Sequence, residues 1–199
     1  LEELKVLLEA QPTLEDFNHF IKDNFVLMEV FGREKWSKAF MNIIGNASSA
    51  ILNRPPGVIY QSNPLFDLEW RMLEETLAVM KAKKLEIVEL PGPPIGRLAG
   101  SIRRMPKGIV KPFLKRQVIG GRGDKMPSFH MDLSRGRRKN EVIYHNGAIA
   151  RAGDVAGVPT PVNRGLTTVL LKLANERLDW RAFDGKPKRL LAEIRQAAS

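Results

Sequence analysis

One stretch of the sequence places a lysine and two amides at the spacing of a helix face. Lys38, Asn42 and Asn46 follow one another at intervals of four residues, within a segment that is otherwise almost wholly apolar. Residues four apart lie on the same side of an α-helix, so the three side chains are expected to form one polar stripe. Amide groups are costly to bury unless something hydrogen-bonds to them, and a ligand is one candidate partner. The stripe is equally compatible with the solvated face of an amphipathic helix.

Three segments of the chain carry motifs in a fixed order. The pattern Trp-x-Lys-x3-Asn-x3-Asn begins at Trp36 and is followed by a proline-rich turn at residues 53–57. The pattern Ser-x3-Asp-Leu begins at Ser128 and leads through Gly-Arg to Glu-x4-Asn-Gly, while Gly-x-x-Thr-Pro-x-Asn begins at Gly157. Together these blocks resemble the ketopantoate reductase family, the NADP-dependent 2-dehydropantoate 2-reductases, over residues 36–170.

The resemblance implies roles for five side chains. Lys38 corresponds to the family's general acid, since an ammonium beside the C2 carbonyl of a 2-oxo acid can protonate the oxygen as hydride arrives. Asn42 and Asn46 correspond to the asparagines that hold the substrate, and Ser128 to a serine that contacts it. Glu141 corresponds to a glutamate associated with the cofactor and with positioning the lysine. A carboxylate opposite Lys38 would favour the charged form of that amine.

The resemblance also implies a fold, a cofactor and partners. It predicts an all-α substrate-binding and dimerisation domain over residues 1–199, similar to that of 6-phosphogluconate dehydrogenase-like proteins, with a helical lead-in at 1–32 and the family-like core at 33–199. The implied partners are NADPH, a small 2-oxo acid such as the ketopantoate of pantothenate biosynthesis, and a second copy in a homodimer. No Gly-x-Gly-x-x-Gly turn occurs in the sequence. NADP is therefore expected to be bound mainly by a domain missing from this chain, and the chain alone is not expected to be active.

Ser128 and Glu141 are also compatible with purely structural roles. Ser128 follows Pro127 and could be only a helix N-cap, and Glu141 could be a first-turn glutamate that the helix dipole favours. The spacing from Asp132 to Glu141 is one residue longer than the usual family pattern. In the turn after the first block, Pro56 stands where the family often has an asparagine that contributes to substrate binding. The sequence therefore does not say which 2-oxo acid is the substrate.

The elements that would position these side chains are helices. Apolar residues recur near the helical period along most of the chain, and strand-like alternation is scarce, which predicts an all-α fold with one core. Prolines are expected to break helices after Leu52 and at Pro106 and Pro112. The predicted helices are Thr13–Phe31, Trp36–Leu52, Phe66–Lys84, Glu141–Val155, Asn163–Leu178 and Lys186–Ala197.

Composition excludes several other classes of protein. The 199 residues contain no cysteine, which excludes disulfides and Cys-ligated metal sites. The three histidines are not at metal-ligand spacing, so no metal is expected. No apolar run approaches the ~18 residues of a membrane helix. A cytoplasmic protein without membrane contact is therefore expected.

The positive charge is concentrated in one part of the chain. The net charge is +10, and residues 91–139 contain thirteen basic and two acidic residues, so the remainder is nearly neutral. This basic segment could be a solvated surface, could guide an anionic cofactor or substrate, or could bind nucleic acid phosphates. Its only aromatic residues are Phe113 and Phe129, which offers little for base stacking, so nucleic acid is the least favoured partner. Besides the reductase, the sequence allows a non-catalytic helical binding or dimerisation module and a basic nucleic-acid-binding domain.

Overall fold

The computed structural model describes residues 32–122, 125–137 and 140–198, and all regular secondary structure in these ranges is helical. The prediction of an all-α fold is confirmed. The predicted helix Thr13–Phe31, and with it almost all of the lead-in at 1–32, lies outside the described residues. None of the described helices is long and apolar enough to cross a membrane.

The first described helix, α1, covers residues 32–43. Short 3₁₀ helices lie at Glu141–Tyr144 and Trp180–Ala182. The helices after α1 are α2 (Asn46–Leu52), α3 (Pro56–Gln61), α4 (Asn63–Ala82), α5 (Ile95–Arg104), α6 (Lys107–Arg122), α7 (Ser128–Ser134), α8 (Asn146–Ala156), α9 (Pro161–Ala174) and α10 (Pro187–Ala198).

Helix α4 and helix α9 carry much of the core. The apolar face expected on α4 is buried, with no side chain more than 5% exposed: Leu68, Met72, Leu73, Leu77 and Met80. Helix α9 packs against α2, α4, α8 and α10, and α2 packs in turn against α7. Because α2 contacts both α7 and α9, the segments that carry the three sequence blocks are held together by the core.

The prediction of a single helix from Trp36 to Leu52 is wrong, because the helix is interrupted at its middle. The chain turns at residues 44–45, where Gly45 has φ +64°, a conformation that glycine adopts without the steric penalty of a Cβ. A Cβ on Gly45 would also lie 3.0 Å from the Cβ of Pro56. The polar stripe is therefore divided: Lys38 and Asn42 lie on α1, and Asn46 is the first residue of α2.

Of the two expected breaks in the basic segment, only the first occurs. The chain leaves the helix before Pro106, but α6 continues through Pro112. Proline at this position removes one backbone hydrogen bond, and the carbonyl that loses its donor belongs to the exposed Gly108, where water can replace it. An apolar seam of Val110, Leu114 and Val118 is buried on both sides of the proline and holds the helix together.

The expected helix Glu141–Val155 is two elements. Residues Glu141–Tyr144 form a 3₁₀ turn whose start is capped by Asn140, the side-chain oxygen of which accepts a hydrogen bond from the amide of Val142 at 3.0 Å. His145 separates this turn from α8. The end of α8 is as predicted, at Gly157 in the left-handed conformation.

The third sequence block has a structural role in this chain. Glu75 of α4 accepts hydrogen bonds from the backbone amides of Val162 and Asn163 at 2.8 and 2.9 Å, and from the Asn163 side chain at 2.8 Å. Burial raises the pKa of Glu75, and these hydrogen bonds offset part of that rise. The block thus attaches the start of α9 to α4.

His130 links the end of α2 to α7 and to the second 3₁₀ helix. Its Nε2 lies 2.8 Å from the side-chain oxygen of Asn53, and its ring packs at 5.4 Å from that of Trp180. Burial lowers the pKa of His130 below its ordinary value. The imidazole is therefore held neutral in the folded protein at neutral pH.

We expect the stability of the protein to fall as the pH is lowered through about 6.5, the ordinary histidine pKa. The unfolded chain binds a proton at His130 there, whereas the folded chain does so only at lower pH. Urea unfolding between pH 7.5 and pH 5 measures this loss. The variant His130→Gln keeps a donor but cannot titrate, so its stability should fall less; a slope equal to that of the unsubstituted protein would contradict the assignment.

Candidate active site

Residues from three separate segments line a cavity of about 340 Å³. The segments are the junction of α1 with α2, the end of α6 with the chain that leads into α7, and the first 3₁₀ helix with His145, which precedes α8. The lining residues are Asn42, Asn46, Gly121, Lys125, Met126, Pro127, Ser128, Glu141 and His145. Four of the five residues that the sequence analysis singled out are among them. Their positions along the chain do not by themselves require them to share one cavity.

Asn46 is the most constrained polar side chain of this cavity. It is 5% exposed, and its amide nitrogen donates to the backbone oxygen of Asn42 at 3.2 Å and to Oγ of Ser128 at 3.4 Å. Its side-chain oxygen accepts from the backbone amide of Phe129 at 3.3 Å. The side chain thus joins α2 to α7.

Ser128 is not a helix N-cap. Pro127 occupies the N-cap position of α7, Ser128 is the first helical residue, and no side-chain capping bond is made by Pro127. The Phe129 amide that a cap would satisfy is bound instead by Asn46 from another helix. Ser128 is consequently exposed at the cavity wall, with its hydroxyl near the Asn46 amide.

Lys38 lies at the border of the cavity rather than in its lining. It is exposed, one turn before the half-buried Asn42 on α1. No hydrogen bond or ion pair to its side chain is formed by any described residue. Its charge nevertheless reaches the cavity, since it contributes to the pKa of His145.

Glu141 is exposed at the cavity wall, at the first position of the 3₁₀ helix. Among the described residues it makes no ion pair with Lys38, so the opposed carboxylate and amine that the family resemblance suggests are not in contact. Both charges act on His145, which places the three groups in one electrostatic environment. The first-turn interpretation of Glu141 also fits its position, although the helix it begins is a 3₁₀ turn.

Two ionisable cavity residues, His145 and Lys125, were missed by the sequence reasoning. His145 sits immediately before Asn146-Gly147, in a motif position with no residue requirement, and Lys125 was counted only as part of the basic segment. Burial lowers the pKa of His145, the Glu141 carboxylate raises it, and Lys38 lowers it. The available signal was the rarity of histidine, with three in the chain, next to a motif residue.

Glu69 of α4, also missed, holds the α1–α2 junction in place. It is fully buried and accepts hydrogen bonds from the Gly45 amide at 2.7 Å, the Ser48 hydroxyl at 2.5 Å and the Tyr60 hydroxyl at 2.9 Å. The sequence signal was a carboxylate on the apolar face of α4, where Phe66 and Met72 are three residues away on either side. A buried polar group is expected to be hydrogen-bonded, and here the donors to Glu69 come from α2, α3 and the turn between α1 and α2.

Part of the basic segment interacts with the rest of the domain. Lys107 of α6 forms an ion pair with Asp67 at 2.7 Å, and Lys111 donates to the Asn63 side chain at 3.0 Å. Both pairs are solvent-exposed and of the kind that contributes little to stability. Lys125 brings one positive charge of this segment to the cavity wall, consistent with attraction of an anionic ligand.

Residues 31–174 match the sequence model of the family described as ketopantoate reductase PanE/ApbA C terminal. The chain is 28% identical over 144 residues to the 2-dehydropantoate 2-reductase of Pyrobaculum aerophilum. This alignment covers 72% of the chain but 44% of the relative. The chain thus spans less than half the length of the curated relative it matches.

Two solved structures share the fold. A PanE/ApbA family ketopantoate reductase from Ralstonia eutropha JMP134 superposes with a TM-score of 0.56 at 24% identity, over 71% of this chain and 41% of that one. A D-mandelate dehydrogenase, solved as a ternary structure with NADH and anilino(oxo)acetate, superposes with a TM-score of 0.56 at 21% identity, over 73% and 52% of the two chains. At these identities the likeness shows the fold alone.

Proposed function

The chain belongs to the ketopantoate reductase family as its C-terminal domain, and from that premise we propose that it is the substrate-binding half of an NADPH-dependent 2-oxo acid reductase. The observation that carries the proposal is the shared cavity. Asn42, Asn46, Ser128 and Glu141 come from three segments of the chain and line one space. Lys38 lies on the same helix as Asn42, one turn before it.

The proposed proton donor is Lys38. When hydride reaches C2 of a 2-oxo acid, negative charge develops on the carbonyl oxygen, and an ammonium stabilises that charge and can transfer a proton to it. Lys38 is exposed and has no partner among the described residues, so its amine is free to turn towards a bound substrate. After the proton transfer, Lys38 is a neutral amine and the product is the 2-hydroxy acid.

The proposed substrate contacts are the two amides and the hydroxyl. A 2-oxo acid presents a carboxylate and a carbonyl, both acceptors, and Asn42, Asn46 and Ser128 offer N–H and O–H donors. The Asn46 to Ser128 contact is long, at 3.4 Å, so the amide can exchange it for a ligand oxygen, and the Ser128 hydroxyl, which accepts in this contact, keeps its own hydrogen for donation. Because Asn46 is held by Phe129 and Asn42, it is preorganised for binding.

NADPH, when bound, supplies the hydride. The residues at the cavity are compatible with it, because the exposed Glu141 carboxylate can accept hydrogen bonds from hydroxyl or amide groups and Lys125 offers a positive charge to an anionic ligand. Most of its binding is assigned to a nucleotide-binding domain outside these 199 residues. Glu141 is the proposed cofactor contact of this chain.

The test is NADPH oxidation by the full-length polypeptide against a panel of 2-oxo acids, including ketopantoate, with NADH in parallel. We expect oxidation to depend on both a 2-oxo acid and the nicotinamide cofactor. Absence of oxidation with every acid would contradict the proposal and favour a non-catalytic helical module. Retention of the protein on DNA at low salt would instead support a nucleic-acid-binding role for the basic segment.

A further inference from the structure

The packing around His145 does not explain why an imidazole occupies this position in the cavity wall. It lines the same wall as Glu141 and Ser128, at the start of α8. Its ring packs against the ring of Phe129, with centroids 5.7 Å apart. The backbone amide of Phe129 binds the Asn46 side chain, so the imidazole is positioned relative to a proposed substrate contact.

The two ring nitrogens of His145 differ in their surroundings. Nδ1 is buried and has no hydrogen-bond partner among the described residues. A buried polar atom without a partner destabilises the fold, so its presence beside a cavity calls for a physical reason. Nε2 also has no hydrogen-bond partner among the described residues, yet it is not one of the buried atoms that lack a partner, so it is the nitrogen that this half-buried ring can offer to the cavity.

Burial and the charge of Lys38 lower the pKa of His145, so the ring is neutral at neutral pH despite the opposing effect of Glu141. A neutral imidazole has one N–H donor and one acceptor nitrogen. With the proton on Nε2, the donor faces the cavity and the lone pair lies on the buried Nδ1. The ring then matches the acceptor oxygens of a carboxylate or a carbonyl.

We propose that His145 is a further substrate-binding residue, whose Nε2–H donates a hydrogen bond to an oxygen of the 2-oxo acid beside Asn46 and Ser128. This proposal rests on the proposed function for the class of ligand. It accounts for an imidazole with an unpartnered nitrogen on this wall: the ring contributes to binding at the expense of stability.

The test uses oxamate, an unreactive analogue of a 2-oxo acid, titrated calorimetrically into the full-length protein with and without NADPH. We expect His145→Leu to weaken oxamate binding about 10-fold, the loss of one hydrogen bond to a charged group. His145→Gln should restore affinity to within about threefold, because the amide nitrogen of glutamine reaches the position of Nε2. His145→Asn, whose amide reaches only the position of Nδ1, should not restore it.

Two controls separate binding from folding. Tyr144→Phe changes the neighbouring residue, which is 70% exposed, and should bind oxamate like the unsubstituted protein. The thermal midpoint of His145→Leu should be equal to or higher than that of the unsubstituted protein, because the unpartnered Nδ1 is removed. A residue that only supported the fold would lower it.

The outcomes distinguish this proposal from the proposed function. Normal oxamate affinity in His145→Leu, equal rescue by Asn and Gln, or no oxamate binding to the unsubstituted protein would each overturn the role of Nε2. Oxamate binding that depends on His145, together with no reduction of any 2-oxo acid, would retain the binding residue and reject the reductase. Reduction that proceeds with an unchanged KM in His145→Leu would retain the reductase and reject the binding residue.

Discussion

Lys38→Ala in the full-length polypeptide is expected to lower kcat for reduction of the 2-oxo acid by about two to four orders of magnitude, the usual contribution of a positioned general acid. The dissociation constant for NADPH should change by less than about twofold, since one transferred proton, and not cofactor binding, is removed. Stopped-flow or steady-state oxidation of NADPH gives kcat, and fluorescence titration gives cofactor affinity. Near-normal turnover would reject Lys38 as the proton donor.

A matched variant separates charge from proton transfer at this position. Lys38→Arg keeps the positive charge, but a guanidinium does not release its proton in the accessible pH range. It should therefore retain much of the affinity for the 2-oxo acid while leaving kcat low. Lys188→Ala, which removes an exposed lysine that does not line the cavity, should leave both constants unchanged. Equal activity of the arginine variant and the unsubstituted protein would show that charge alone is needed.

Glu69→Ala is expected to have the largest effect on stability, a loss of about 3 to 5 kcal/mol in the free energy of unfolding. The substitution removes the common acceptor of the Gly45 amide, the Ser48 hydroxyl and the Tyr60 hydroxyl, all in the protein interior. Each buried donor left without a partner costs free energy in the folded state and none in the unfolded one. Urea unfolding followed by circular dichroism measures the loss.

Two variants test whether the contacts of Glu69, rather than its volume, are responsible. Glu69→Gln keeps the shape and one acceptor oxygen, and its amide can donate to the Ser48 hydroxyl, so about 1 to 2 kcal/mol should be lost. Glu86→Ala removes a carboxylate whose side chain is 79% exposed and should change stability by less than about 0.5 kcal/mol. Equal unfolding midpoints for Glu69→Ala and Glu86→Ala would mean that the buried carboxylate does not hold the junction.

The local features of this fold were accessible from the sequence. Helical periodicity predicted the all-α class and the buried face of α4, because the side of a helix that enters the core repeats every three to four residues. Positions that depend on neighbours along the chain were also predictable, such as the end of α8 at Gly157. Helix spacing indicated Asn42 and Asn46, and the resemblance to the family added Ser128.

Breaks in helices were harder to predict, because tertiary packing competes with local preference. Glycine is tolerated in many helices. At Gly45, however, the buried side chain of Glu69 binds the backbone amide, and Pro56 fills the space where a Cβ would project. Pro112 disfavours a helix locally, yet the buried seam of α6 continues across it. In both cases packing against residues distant in the sequence decided the outcome, since the seam of α6 packs against α3.

By itself, the sequence determined the helical class of this protein and the family to which its residue pattern belongs, since both depend on spacing along one chain. Only the tertiary structure decided that Asn46 caps α7 in place of Ser128, that Glu69 holds the α1–α2 junction, and that His145 enters the cavity. The Gly45–Glu69 contact joins residues 24 positions apart, and the Asn46–Phe129 contact joins residues 83 positions apart. No local preference encodes such pairs; they follow from the burial of apolar faces that brings the helices together.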